Sequence, residues 1–400
     1  MYVQRMQRGA NLTVDFKICA ITLVSEQTIP NIIFLKWCLQ QYTEAAIDII
    51  CLSTEKMESA EKHKSVCIKK ALGAAIEQFQ HFTTIKIDEF NMTYIQNKLK
   101  AILDNGIRYH HTIVDITGGT KIMALAVYAY FEQKEHTRIV YQPIEKNAIA
   151  ELHPVDTIYP IFIPIHLHEY FTAYGIEAQF HNECQKPWEE NLSAVNTIEK
   201  YFITCQKLIQ LQNTKSFKRK IEKRPMDIRS LDQKYLTAGN EDIITQQESS
   251  SITINEFCEI AEAFGFNSAE FTYGNLRYLT GGWFEEYVYQ TIQKNKNLRD
   301  DKISLNIKIK IQNTDNELDV VFIDDWNRLN IIECKSFIDE KEQADILNNT
   351  IYKIQALRSN FGLSACCFLY TMSTITKTSI LNRAKNFKIT IVDRTKLLKE

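Results

Sequence analysis

Over the first 180 positions apolar residues fall into short, nearly unbroken runs separated by longer amphipathic stretches. The runs predict strands over 18–24, 47–52, near 84–87, 112–116 and 138–142; the stretches between them predict helices over 31–42, 60–79, 94–103 and 120–131. Strands that are apolar on both sides and alternate with helices imply a parallel sheet covered on both faces. The expected class is α/β, opening with a doubly wound, Rossmann-like sheet. Residues 147–180 add two further apolar strands around 159–165 and a short helix.

Further on, helices are expected over 187–211 and 254–264. Phe284, Tyr287, Val288 and Ile292 make an apolar stripe at i, i+3, i+4 and i+8, with Glu285 beside it. Leu318, Val320 and Phe322 then alternate with polar neighbours before a polar turn, and Ile331 and Ile332 lead into Glu333-Cys334-Lys335. Beyond lie a helix over 341–360, a strand over 364–371, a helix over 377–387 and a last strand over 388–392.

The hairpin over 317–335 carries the clearest chemistry. With a five-residue turn from Asp324 to Arg328, pairing is symmetric about Trp326 and sets Asp319 opposite Glu333. The two carboxylates then share one face a few Å apart, Lys335 joins them, and Cys334 turns away. Two bare carboxylates side by side repel, and a divalent cation, Mg²⁺ or Mn²⁺, resolves the conflict because it takes hard oxygen ligands. Lys335 could then orient or deprotonate an attacking water. A surface hairpin with ordinary salt bridges is the competing reading.

The strand over 112–116 runs into Asp115-Ile116-Thr117-Gly118-Gly119-Thr120-Lys121. Two glycines between a buried strand and a helix let backbone amides approach an anion, and Thr117, Thr120 and Lys121 add hydroxyls and positive charge. The other polar strand ends hold Ser25, Gln27 and Thr54. No nucleoside-triphosphatase or dinucleotide fingerprint is present.

Composition narrows the classes. Four hundred residues suggest two or three domains, and a net charge of −2 gives no global positive field, so nucleic-acid contact must be local. The basic run over 215–224 is one such local candidate. Ten cysteines lack any C-x-x-C spacing and read as buried thiols of a reducing cytoplasm. His153, His166, His168 and His181 lack a ligand partner at suitable spacing. No signal peptide or membrane span is visible, which predicts a cytoplasmic protein with no membrane partner.

Two resemblances follow from these motifs. F-E-x-x-V on the helix at Glu285, with D-x13-E-x-K on the hairpin, resembles the PD-(D/E)XK nuclease superfamily, although Leu318 stands where its proline would. The resemblance implies that Glu285, Asp319 and Glu333 ligate a metal with the Cys334 carbonyl, that Lys335 is catalytic, and that Gln355 assists from the next helix. S-E-Q-T-I-P-N after the first strand, with D-I-T-G-G-T-K, resembles the CARF domain, the CRISPR-associated Rossmann fold. Its placement ahead of a nuclease resembles the ancillary nucleases of type III CRISPR systems. That implies a homodimer binding cyclic oligoadenylate, with a lean to the tetra-adenylate and to Mn²⁺. Gly118, Gly119, Thr120 and Lys121 would hold phosphates and riboses, and Ser25, Gln27 and Thr54 the rim.

The expected organisation is an N-terminal extension over 1–14, a ligand-binding and dimerisation domain over 15–180, a helical linker region over 181–265 with a flexible join at 239–251, and a nuclease domain over 266–400. The expected activity is messenger-gated cleavage of single-stranded DNA or RNA. Three alternatives are a constitutive repair or restriction nuclease, a ligand-responsive nucleic-acid-binding regulator and an enzyme that degrades the messenger; the Asp, Glu and Lys trio argues against the regulator, which would not need charges gathered on one sheet face, and the other two remain open.

Overall fold

The computed structural model describes residues 16–103, 108–143, 146–212, 215–231, 252–311, 313–338 and 344–397. The expected extension at 1–14 and the whole of the join at 239–251 lie outside them. The chain forms two compact units, Met1–Ile176 and Glu177–Glu400.

The first unit runs β1 (Lys17–Leu23), α1 (Ile29–Gln41), β2 (Ala46–Ser53), α2 (Lys64–Ala71), β3 (Phe79–Lys86), α3 (Met92–Leu103), β4 (His111–Asp115), α4 (Lys121–Phe131), β5 (Thr137–Tyr141), β6 (Ala148–His153), β7 (Thr157–Pro160) and α5 (Leu167–Tyr174). Its sheet has the order β3-β2-β1-β4-β5-β6-β7. The first five strands are parallel, and β6 and β7 extend them antiparallel. Cys19, Ile21 and Leu23 of β1 pack with Val114, Ala126, Val127 and Phe131 under α3 and α4. Strand order reverses between β1 and β4, so their carboxyl ends open a crevice, the usual ligand position in such sheets.

Two expectations here need correction. The helix over 60–79 is broken: α2 ends at Ala71, Gly73 takes φ +54°, and a 3₁₀ turn over Gly73–Gln78 leads into β3. Only a residue that tolerates the left-handed region turns the chain there without strain. The strands expected around 159–165 lie earlier, as β6 and β7, and 161–166 carry no strand. Pro160 ends β7 just before that segment and Pro164 lies within it, and neither can donate to a ladder.

The second unit runs β8 (Glu177–His181), α6 (Trp188–Gln212), α7 (Lys215–Lys223), α8 (Ile254–Ala263), α9 (Tyr273–Arg277), α10 (Trp283–Asn295), β9 (Ile303–Ile311), β10 (Thr314–Ile323), β11 (Leu329–Lys335), α11 (Ala344–Arg358), β12 (Cys366–Thr371), α12 (Thr378–Asn386), β13 (Ile389–Val392) and α13 (Arg394–Leu397). A π-helical turn, Tyr278–Gly282, joins α9 to α10. The sheet order is β13-β12-β11-β10-β9-β8, antiparallel from β8 to β11 and parallel beyond. The segment read as a linker shares one core with the hairpin: Leu208, Phe217, Ile221 and Phe257 pack in the same cluster as Trp283, Phe284, Val320 and Ile332. In α7 the basic run keeps Phe217 and Ile221 buried while Lys218, Arg219 and Arg224 are exposed.

Candidate active site and ligand loop

The hairpin closes as its turn chemistry demands. The Asp324 and Arg328 backbones bond at 3.1 Å, and the Asp324 carboxylate accepts from the amides of Trp326 at 2.9 Å and Arg328 at 3.0 Å. Asn327 takes the left-handed conformation at φ +56°, which asparagine tolerates. The pairs Val320–Ile332 and Val321–Ile331 set the register. One step further along it, Asp319 stands opposite Glu333.

On the other side of β10, Leu318 pairs Ile307 and Val320 pairs Leu305, which places Asn306 beside Asp319. Three polar residues therefore form one row across β9, β10 and β11. Cys334 faces the hydrophobic core, as period-two alternation requires. Its amide donates to Asp319 Oδ2 at 2.6 Å, and its carbonyl accepts from Lys335 Nζ at 3.1 Å.

Glu333 is buried between two cations. Lys335 Nζ lies 2.9 Å from Oε1, and Lys353 Nζ from α11 lies 3.0 Å from each carboxylate oxygen. Glu285, half-buried on α10, is hydrogen-bonded by the Asn306 side chain. The π turn beneath it is tied to the end of β11 by Ser336 Oγ, which donates to the Thr280 carbonyl at 2.9 Å. Adjacent Glu286 has a different task. It is buried and accepts from the amides of Gln185 at 2.7 Å and Lys186 at 3.2 Å, so it anchors the segment leading into α6.

The charges of this cluster are mutually perturbed. Burial, then the charges of Glu333 and Glu285, push the Asp319 carboxyl well above its usual range. Burial likewise raises Glu285, partly offset by Lys335. For Lys335 burial opposes the charge, but Asp319 and Glu333 outweigh it and hold the ammonium above its usual pKa. Lys335 thus acts as a fixed positive charge in this arrangement rather than as a proton acceptor.

Hard oxygen donors crowded until one resists ionisation are a suitable set for a divalent cation. Among the described residues, no three His, Cys, Asp or Glu side chains converge closely enough to hold an ion as they stand. Lys353 engages both of the Glu333 oxygens that a cation would use.

Lys353 is the residue that sequence reasoning missed, and Gln355 is the one it chose. Two helical positions separate them, about 200° around the axis. Lys353 reaches Glu333, while the Gln355 Oε1 atom is buried without a hydrogen-bond partner. The stripe of Leu347, Ile351 and Ile354 identifies the packed face of α11, and Lys353 and Gln355 flank it on opposite sides. Asn306 was also missed. Its φ of +50° inside a strand is a strained conformation of the kind that gathers at functional sites, and no pattern of apolar spacing reveals it.

In the first unit the 117–121 loop lies against the end of β1. Gly119 has φ +75°, and Gly118 sits directly over the Leu23 carbonyl. Thr120 caps α4, accepting from the Met123 amide at 3.2 Å, and Lys121 is exposed at the first helical residue. Ser25 accepts from the Gln27 amide at 3.1 Å, and Gln27 Oε1 accepts from the Tyr174 hydroxyl at 3.3 Å. Two expected contact residues also hold the turns they stand in. Thr54 is buried and accepts from the Met57 amide at 3.3 Å; the Thr117 hydroxyl bonds Asp115 and accepts from the Gln142 amide at 2.8 Å.

Asp115, fully buried, organises that loop by accepting from the Thr117 amide at 3.1 Å and the Thr22 hydroxyl at 2.9 Å. Burial lifts its carboxyl to about 6 against these hydrogen bonds. The folded value lies above the unfolded one, so the native chain binds more protons between about pH 4 and 6 and loses stability as pH rises through that window. About two units correspond to about 3 kcal/mol. Melting temperatures of the wild type and Asp115→Asn across pH 4–7 should converge at the acid end and diverge towards neutrality, with the variant profile flatter.

Comparisons with known proteins agree with both halves. Residues 19–170 match the family model of the Card1 CARF domain, and residues 273–399 match that of the Card1-like endonuclease domain. Among solved structures the chain is similar to Can2 from Sulfobacillus thermosulfidooxidans, solved in complex with cyclic tetra-adenylate. That match has 21% identity, covers 96% of this chain and 98% of that one, and has a TM-score of 0.66. It is also similar to the protein VC1899 from Vibrio cholerae, at 16% identity, coverage of 96% and 95%, and a TM-score of 0.67. Identities this low speak for a shared fold. No curated protein matches the chain. Among the described residues no helix is long and apolar enough to cross a membrane.

Proposed function

Carrying a Card1 CARF domain and a Card1-like endonuclease domain, the chain belongs to the CARF-domain nucleases of type III CRISPR systems, and we propose that it is a homodimeric, metal-dependent endonuclease switched on by cyclic tetra-adenylate. Its substrate is single-stranded DNA or RNA. The observation that carries the catalytic half is the Asn306–Asp319–Glu333 row with Glu285 and Lys335 around it. The regulatory half is supported by the glycine loop over the β1–β4 crevice, where Gly118, Gly119, Thr120 and Lys121 present amides and one cation to the messenger.

Glu285, Asp319 and Glu333, with the Cys334 carbonyl, would hold Mg²⁺ or Mn²⁺, which supplies Lewis-acid activation of water and neutralises phosphate charge. Asn306 steadies the Glu285 carboxylate, and the Cys334 amide does the same for Asp319. Lys335, kept charged, faces the negative charge that builds on the phosphorus oxygens. Water attacks phosphorus and the bond to the 3′ oxygen breaks. That oxygen leaves as a hydroxyl after gaining a proton, and the phosphate stays on the 5′ side. Lys353 must release Glu333 for the full donor set to form, and it remains close enough to offset charge.

For gating, the messenger must bind the active arrangement better than the idle one; affinity alone shifts nothing. The deciding experiment is cleavage of labelled single-stranded DNA and RNA with Mn²⁺, with and without cyclic tetra-adenylate. Cutting only with messenger is expected. Equal cutting without it would leave a constitutive nuclease, and linear adenylate products from the messenger itself would point to the first unit as a second enzyme.

A further inference from the structure

Two ammonium groups face the single carboxylate of Glu333, and they reach it from different elements. Lys335 stands on β11 itself, bonded to Glu333 Oε1 at 2.9 Å and to the Cys334 carbonyl at 3.1 Å. Lys353 crosses from α11 and lies 3.0 Å from each carboxylate oxygen. We propose that Lys353 is a positioning residue that links the two ligands of the site: it holds Glu333 until a phosphate of the substrate strand draws its ammonium away, so that strand and divalent ion each tighten the binding of the other. This role presupposes the nuclease reading above and adds to it a control on when the metal is held.

Charge requires that one lysine leave. Glu333 is buried, with 5% of its side chain exposed, and its one negative charge already faces two positive ones. A divalent ion arriving with both in place would set four positive charges against one carboxylate whose two oxygens are taken. Exchange of one ammonium for the ion removes that conflict, and the lysine that stays keeps the buried carboxylate from ever standing without a counter-charge.

Lys353 is the one free to move. Asp319 and Glu333 together hold Lys335. Among the described residues Lys353 has one further contact beyond Glu333, the Glu317 carbonyl at 3.5 Å, longer than an ordinary hydrogen bond. Its side chain is 41% exposed, and the ammonium rides on a flexible four-carbon stem. A strand cut at this site brings its scissile phosphate to Asp319 and Glu333, within reach of that stem, and phosphate oxygens accept from an ammonium as carboxylates do. The rival destination is the Glu317 side chain, exposed on β10; drawn there, Lys353 would free Glu333 with no help from the substrate. Binding free energies couple in both directions, so whatever factor the strand adds to ion affinity, the ion adds to strand affinity.

Binding of Mn²⁺ to the full-length protein with cyclic tetra-adenylate, followed by electron paramagnetic resonance, reads this link without turnover when the strand cannot be cut. A single DNA strand with methylene in place of each 3′ bridging oxygen keeps its charge and offers no cleavable linkage. Lys353→Met should tighten Mn²⁺ binding roughly tenfold in the absence of strand, because nothing then competes for both Glu333 oxygens. The strand should add roughly tenfold less to the Mn²⁺ affinity of Lys353→Met than to that of the wild type; the gain that remains is direct contact between phosphate and ion. Lys353→Arg keeps a cation that pairs with Glu333 and should restore the wild-type difference. Lys308→Met is the control. It removes a positive charge from the cavity wall shared with Glu285 and Asn306, and the strand's contribution should match the wild type. Equal gains from the strand in wild type and Lys353→Met would overturn the link, as would Lys308→Met behaving like Lys353→Met, which would make the effect one of general charge. A wild type that neither binds Mn²⁺ nor cuts an unmodified strand would overturn the nuclease reading and this role with it.

Discussion

Glu333→Gln is expected to lower the rate of strand cleavage at least about a thousandfold, a loss on the order of 4 kcal/mol of transition-state stabilisation. Glutamine keeps the shape and the buried position but presents a neutral amide to Lys335 and Lys353. It also removes the donor with the best-defined position in the acid row. Stability should change little by comparison. Both lysines are substantially exposed, at 31% and 41% of their side chains, so water screens the lost pairing and the cost should stay near 1 kcal/mol. Asp319 should ionise more readily once the neighbouring charge is gone, since Glu333 is among the groups that push its carboxyl up. Single-turnover cleavage alongside thermal melting checks the pair of outcomes. Substantial cutting by a well-folded variant would remove Glu333 from the catalytic set.

The second large effect is expected in the other unit. A Cβ added at Gly118 would fall inside the van der Waals envelope of the Leu23 carbonyl oxygen. That oxygen belongs to β1, fixed in the sheet between β2 and β4, so the loop must yield. Gly118→Ala should therefore displace the 118–121 amides and weaken cyclic tetra-adenylate binding at least about a hundredfold, or about 2.7 kcal/mol. Melting should fall by a smaller amount, about 1–3 kcal/mol as for other overpacked sites. Gly73→Ala is the control. It has φ +54° and open space around the new Cβ, so it carries a backbone cost of about 1 kcal/mol and leaves messenger binding intact. Calorimetric titration of both variants separates steric displacement of the loop from general destabilisation.

Where the polypeptide repeats a period, its sequence was informative. The alternation from Leu318 to Glu333 and the Asp324–Arg328 turn together determine a register, because a hairpin has one centre and a slip of one residue would invert every face. Asp319 opposite Glu333 follows from that arithmetic alone. β1 and β2 of the first unit were equally plain, since each is buried on both sides, whereas β3 is a largely exposed edge strand that begins at Phe79, ahead of the expected 84–87. Legibility ends where geometry depends on a third element. The stripe on α11 shows which face packs but not which flank meets the acids, so the sequence offers Gln355 and gives no sign that Lys353 reaches Glu333. Asn306 lies in a run, Ile303 to Ile311, that alternates like any strand. Its left-handed backbone answers to β8, 125 or more positions earlier in the chain. Thr54 and Thr117 show the same limit, since a hydroxyl beside a crevice can serve a ligand, the turn that shapes the crevice, or both, and the turn contacts are invisible in the sequence.

The π turn at Tyr278–Gly282 has a further meaning for how this site tolerates change. A π turn holds one more residue than the α-helical turn it replaces while completing the same rotation. Losing a single residue from that turn would let α9 and α10 fuse into an ordinary helix in which α10 keeps its azimuth, so Glu285 would still face the row and Glu286 the amides of Gln185 and Lys186. Losing a residue from α10 itself, where there is no such surplus, would instead turn the two sides of the helix against each other by about 100°. Single-residue deletions are therefore expected to be tolerated within 278–282 far better than within the helix that follows.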